Sequence, residues 1–186
     1  TGITPGTWEK RVFFGNSGAE SIEGAVKLAR WHTRRQLFIA FISAFHGRTM
    51  GAVSFTASKP VQRRHFFPLV PGVTHVPYGY CYRCPYKMTY PDCGIWCVDF
   101  IDEYVLQKYV PPEDTAAFVF EPIQGEGGYV VPPPEFFPRL KKLADKYGIL
   151  MVDDEVQAGM GRTGRFCAIE NWKIEPDVIC MSKSLA

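Results

Sequence analysis

The chain has 186 residues, 46% of them hydrophobic and 22% charged, which suits one globular domain with its own core and excludes disordered or collagen-like chains. Its formal net charge is +2, and the basic pairs Arg34-Arg35, Arg63-Arg64 and Lys141-Lys142 are scattered, so no nucleic-acid partner is expected. No apolar run approaches membrane-spanning length and no targeting signal is visible; no membrane association is expected and the cytoplasm is the default location.

Arg11-Val-Phe-Phe14 reads as a short strand that breaks at Gly15-Asn-Ser-Gly18, and from Ala19 to about Arg30 the residues Ile22, Ala25, Val26 and Ala29 fall at helical spacing. A strand, a small-residue turn and a helix start make the geometry of an anion site, because the first N–H groups of a helix are unpaired and its dipole adds to their pull. Ser17, Gly18 and Ala19 are the candidate cradle, although Asn-Ser-Gly also makes an ordinary N-cap. Gln36 to Phe45 reads as a second strand, buried on both faces, running into Phe45-His-Gly-Arg-Thr49. Phe45 beside His46 can stack on a flat heteroaromatic ligand or belong to the core. Arg48 is a planar fork suited to a carboxylate, or a solvated loop residue. Thr74-His-Val-Pro77 reads as a third strand.

Residues 78–100 form a cysteine-rich excursion. Cys81 and Cys84, then Cys93 and Cys97, make two close pairs separated by eight residues. That spacing fits a tetrathiolate site for zinc or an iron–sulfur cluster, and leaves disulfides and reduced structural thiols open. Cys167 and Cys180 stand apart and read as packing.

Asp99 to Tyr109 carries helical spacing and stops at Pro111-Pro112. Thr115-Ala-Ala-Phe-Val-Phe120 reads as a fourth strand entering a Gly-rich turn, Glu121-Pro-Ile-Gln-Gly-Glu-Gly-Gly128, with two carboxylates. A helix follows from Glu135 to Tyr147, with Phe136, Phe137, Leu140 and Leu143 on its apolar side and Gly148 as C-cap. The apolar run Ile149-Leu-Met-Val152 then delivers Asp153, Asp154 and Gln157, and Asp177-Val-Ile-Cys-Met181 delivers Lys183. This alternation predicts a doubly wound α/β fold, three layers α/β/α around a mostly parallel sheet with right-handed crossovers, incomplete at both ends.

The strand ends would bring together a phosphate cradle at Ser17 to Ala19, an aromatic at Phe45, a carboxylate at Asp154 and an amine at Lys183. Pyridoxal phosphate (PLP) needs these four: a helix start for its phosphate, a flat neighbour for its ring, an anion for its pyridine nitrogen and a lysine for a Schiff base.

With Phe14-Gly-Asn-Ser-Gly-Ala-Glu20, Phe45-His-Gly-Arg48, Glu121-Pro-Ile-Gln-Gly-Glu-Gly127, Asp154-Glu-Val-Gln157, Gly161-Arg-Thr-Gly164 and Ser182-Lys-Ser184, the chain resembles the class III (ornithine/4-aminobutyrate type) aminotransferases of PLP fold type I. The likeness covers most of the large domain, apart from the cysteine-rich excursion. It implies that Ser17, Gly18 and Ala19 hold the phosphate, that Phe45, with His46, and Val156 cover the two faces of the ring, and that Gln157 bonds its phenolic oxygen. It also implies that Asp154 is the pyridinium partner, leaving Asp153 on the opposite strand face, and that Lys183 is the Schiff-base lysine and proton carrier, its pKa lowered by burial and the nearby cationic ring. Arg48, Glu121 and Glu126 match substrate-side positions, Glu126 pairing in the family with a downstream arginine. The implied reaction is ping-pong transfer from an amino acid or ω-amine, 4-aminobutyrate-like, to an oxo-acid such as 2-oxoglutarate, in a homodimer or higher homo-oligomer. An amino-acid racemase or epimerase on the same fold, or a metal-binding module centred on the four cysteines, are the alternatives.

Overall fold

In the computed structural model, which describes residues 2–185, five short apolar runs become strands: β1 (Leu37–Phe41), β2 (Val73–Val76), β3 (Thr115–Phe120), β4 (Leu150–Asp154) and β5 (Val178–Cys180). They form one sheet in the order β2-β1-β3-β4-β5, and every neighbouring pair is parallel. A parallel sheet must be covered on both faces, and alternate residues supply both coverings. Phe38 and Ala40 of β1 pack with α1 (Gly18–Thr33) and α2 (Met50–Phe55). Ile39 and Phe41 pack on the other face, where α3 (Trp96–Phe100), its π-helical continuation Ile101–Leu106 and α4 (Phe136–Tyr147) lie. The predicted three-layer α/β/α arrangement is therefore present. Strand order reverses between β1 and β3, and such a switch point opens a crevice beyond the carboxyl ends of the strands.

The larger core is aromatic. Tyr78 meets Phe41 at 5.5 Å between ring centroids and Phe136 at 5.0 Å, while Phe137 meets Phe120 at 4.9 Å and Trp172 at 5.1 Å. The Tyr78 hydroxyl donates to the carbonyls of Glu121 (3.1 Å) and Pro122 (3.0 Å), which ties this core to the Gly-rich turn. Gly148 ends α4 at φ 62°, as a left-handed C-cap should. Arg35 sets the opposite end of the sheet: its Nη1 donates to the carbonyls of Thr115 (3.1 Å), Tyr147 (3.0 Å) and Gly148 (2.8 Å).

Three expectations change. Residues 11–14 form no strand: Val12, Phe13 and Phe14 are 64%, 83% and 87% exposed, and the segment has no ladder partner among the described residues. An apolar run becomes a strand only where another backbone takes its N–H and C=O groups. The second strand ends at Phe41 rather than Phe45, because Ser43 turns the chain at φ 72° and donates its N–H to Ala57 O. The helix expected over 99–109 begins at Trp96 and is π-helical from Ile101 to Leu106.

The excursion at 78–100 also corrects the metal reading. Cys81, Cys84, Cys93 and Cys97 line one shallow pocket with Tyr78, Tyr86 and Trp96, and all are free thiols. Among the described residues no group of three or more Cys, His, Asp or Glu side chains is arranged to hold a metal ion, so neither zinc nor an iron–sulfur cluster is supported there. Burial, reinforced by Cys81 and Cys93, pushes the Cys97 thiol up to about 12, so it packs as a neutral group. No helix among the described residues is long and apolar enough to cross a membrane.

Candidate active site

Beyond the carboxyl ends of β1, β3, β4 and β5 lies a cleft of about 750 Å³, counting the space at its open mouth. Gly18, Ala19, Phe45, His46, Arg48, Glu121, Glu126, Asp154, Val156, Gln157 and Lys183 all line it, so residues read from five separate stretches converge. Ser17 does not. It is the N-cap of α1 (φ −160°, ψ 164°), and its Oγ accepts from Glu20 N–H at 3.2 Å, while the Glu20 carboxylate accepts from Asn16 N–H at 2.7 Å. These local bonds set the direction of α1 and point its first turn at the cleft.

Asp154 ends β4 and is 3% exposed. Its Oδ1 accepts from Val156 N–H at 3.0 Å, a short turn that places Val156 on the cleft wall. Its Oδ2 accepts from His46 Nδ1 at 2.7 Å; because an ionised carboxylate only accepts, the proton belongs on Nδ1. His46 is held in turn by Thr56, whose Oγ1 accepts from His46 N–H (2.9 Å) and donates to Gly47 O (3.0 Å). The buried Nε2 of His46 has no hydrogen-bond partner among the described residues. Sequence reasoning missed Thr56, which lies ten residues from the group it positions and belongs to no motif.

Glu121 is 3% exposed and clamps two turns: Oε2 accepts from Phe45 N–H at 2.9 Å and Oε1 from Gly125 N–H at 3.2 Å. Burial pushes its carboxyl up to about 7, opposed by His46 and by these two N–H donors and helped by Asp154. Glu126 sits at the mouth and pairs with Lys59 at 2.9 Å; the hydrogen bond and charge of Lys59 lower its pKa. Lys59 was not singled out from the sequence. Arg48 is exposed and lies over the Phe45 ring, 5.7 Å from its centroid.

Lys183 follows β5 in a left-handed backbone conformation, φ 52°, which is uncommon outside glycine and tends to mark functional sites. Its Nζ donates to Gln157 Oε1. The burial expected around Lys183 is absent, since the side chain is exposed at the cleft wall. Ser182, absent from the predicted site, lines the cleft beside it.

The family model for class-III aminotransferases matches residues 1–186. The chain is 46% identical over 175 residues to an acetylornithine aminotransferase of Methanopyrus kandleri, covering 94% of this chain and 39% of that protein. It is 43% identical over 180 residues to an alanine/serine racemase of Pyrococcus horikoshii, covering 95% and 38%. Among solved structures, an amine transaminase from an uncultivated Pseudomonas species in a PLP-bound form superposes with a TM-score of 0.84 at 30% identity, covering 91% of this chain and 39% of that one. The chain thus spans about two fifths of the length of the proteins it matches. Family model, parallel sheet and convergent cleft agree, and the chain belongs to the class-III aminotransferase family.

Proposed function

We propose that the complete protein carrying this chain is a PLP-dependent aminotransferase that moves the amino group of an amino acid or a 4-aminobutyrate-like ω-amine to an oxo-acid such as 2-oxoglutarate. The observation that carries this reading is the meeting of Lys183, the Asp154–His46 pair and the start of α1 in one cleft. The cleft fits PLP. A Cβ built at Gly18 would crowd Val156 Cγ1 at 3.0 Å, so glycine here keeps the helix start open beside that valine. PLP supplies an electron sink for a carbanion at the substrate carbon.

The residues of this chain do the rest. The N–H groups of Gly18 and Ala19 would hold the phosphate, Phe45 and Val156 would cover the ring, and Asp154, fixed by His46, would supply the negative charge for the pyridine nitrogen. Lys183 Nζ, turned into the cleft by its backbone and held by Gln157, takes and returns the substrate proton. Arg48 at the open wall offers its guanidinium to a substrate carboxylate. The protein is read as cytoplasmic and as a homodimer or higher homo-oligomer.

Lys183→Ala in the complete protein is expected to abolish both amino transfer and the borohydride-trapped bond to the cofactor; a trapped adduct that survives the substitution removes Lys183 from this role. The racemase relative favours a second reading, since returning the proton to the substrate carbon uses the same residues. A single amino-acid enantiomer incubated without oxo-acid separates them: scrambling of its configuration with no amino transfer in the full assay overturns the aminotransferase reading.

A further inference from the structure

Behind Asp154 stand two carboxyl groups that the cleft does not use. Asp153 is fully buried, and strand alternation turns it to the face opposite Asp154; Glu155, 1% exposed, follows at the end of β4. Glu155 Oε1 accepts from Ile169 N–H at 2.9 Å, at the start of the 3-10 turn Ala168–Trp172. Among the described residues its Oε2 and both oxygens of Asp153 have no N–H or O–H donor, yet the two side chains lie within hydrogen-bonding reach of each other. Two facing carboxylates cannot satisfy each other. A carboxylic acid and a carboxylate can, because one proton turns an acceptor into a donor.

We propose that Asp153 and Glu155 share one proton, the Asp153 O–H donating to Glu155 Oε2, and that this clasp fixes the strand end so that, of the three consecutive carboxyl groups 153–155, Asp154 alone is presented to the cleft. Burial, with Glu155 and Asp154 adding to it, pushes Asp153 well up; burial raises Glu155 too, but there the N–H groups of Ile169 and Ala168 and the bond from Asp153 oppose it, so the proton belongs on Asp153. The titratable groups that face the pair are Tyr78, Cys167 at the N-cap of the 3-10 turn, Glu170 capping that turn through Cys167 N–H, Cys180 of β5 and Asp154. None of these is a cation, so a proton is the charge compensation within reach. Asp153 is thus a positioning residue; that role rests on the proposed function, whereas the shared proton does not.

The test uses the complete protein, first without cofactor. Infrared spectra at pH 8, where Glu121 is ionised, are expected to show a protonated-carboxyl band that moves on ¹³C labelling of aspartate carboxyls and is missing in Asp153→Asn; a labelled wild-type spectrum without that band overturns the clasp even if the variant fails to fold. In denaturant titrations the wild-type folding constant is expected to fall tenfold per pH unit relative to Asp153→Asn between pH 6 and 8, because the folded wild type keeps one proton that its unfolded chain releases; parallel curves overturn it. With PLP added, Asp153→Val is expected to displace the pH midpoint of the cofactor absorption and Asp153→Asn to restore it. A Val variant with the wild-type midpoint removes the positioning role. A wild type that takes up no cofactor overturns the proposed function and that role together, leaving the proton to the infrared result.

Discussion

Asp154 is committed on both oxygens before any ligand arrives, one to Val156 N–H and one to His46. Asp154→Asn keeps the shape but loses the charge that holds the His46 tautomer, and is expected to lower kcat by roughly 10²–10³-fold, read in steady-state assays of the complete protein. Glu121 and His75 make opposite contributions to stability against pH. Burial raises Glu121 from an ordinary carboxyl value to about 7, so the folded state holds a proton that the unfolded chain releases, and stability falls as pH rises from about 4.5 through 7. Burial lowers His75, whose Nε2 donates to Phe55 O at 3.1 Å, to about 4; its contribution is present above about 6.5 and is lost as pH falls toward 4. Glu121→Gln removes the first slope alone. The Tm difference between variant and wild type is therefore expected to be more positive at pH 8 than at pH 4.5, and a constant difference would contradict the buried, proton-linked Glu121. Phe45, His46 and Asp154 were legible from the sequence as members of short motifs. The Glu121 clamp was not, because its partner Phe45 N–H is 76 residues away and nothing local marks the pairing.

At the scale of elements, legibility followed local determination. β3 and α4 match the sequence reading closely: β3 is apolar from Ala116 to Phe120 and buried at every position, and α4 carries one apolar face and a Gly C-cap. The segment 11–14 has as good an apolar pattern and forms no ladder, since pairing is a property of two segments and the pattern belongs to one. The π-helical stretch Ile101–Leu106 likewise reflects packing that no residue in it announces. The turn from β1 toward α2 depends on Gly47, which has φ 130°; a Cβ there would meet the Cβ atoms of Ala19 at 2.8 Å and Ala52 at 2.9 Å. Gly47→Ala is expected to cost about 1–3 kcal/mol in denaturant titrations and to weaken cofactor affinity through the displaced Ala19, a coupling that Leu140→Ala, destabilising by about 2–5 kcal/mol in the remote core, should lack.

For the whole molecule, the exposed rings of Phe13 and Phe14 and the side chains of Leu28 and Trp31 leave a substantial apolar surface near α1. The 186-residue chain expressed by itself is expected to self-associate, and sizing it beside the complete protein checks this; a clean monomer would show that the surface is tolerated in water. The cleft has a temporal consequence as well. Its walls run from Gly18 to Lys183, so nearly the whole chain separates its first contributor from its last, and Lys183 reaches the cleft only when β5 has added to β4. On the proposed function, sheet assembly must then be nearly finished before a cofactor finds both the start of α1 and the Lys183 amine. PLP capture during refolding should trail the recovery of tertiary structure and serve as a clock for its final step, rather than as a template that hastens the early ones.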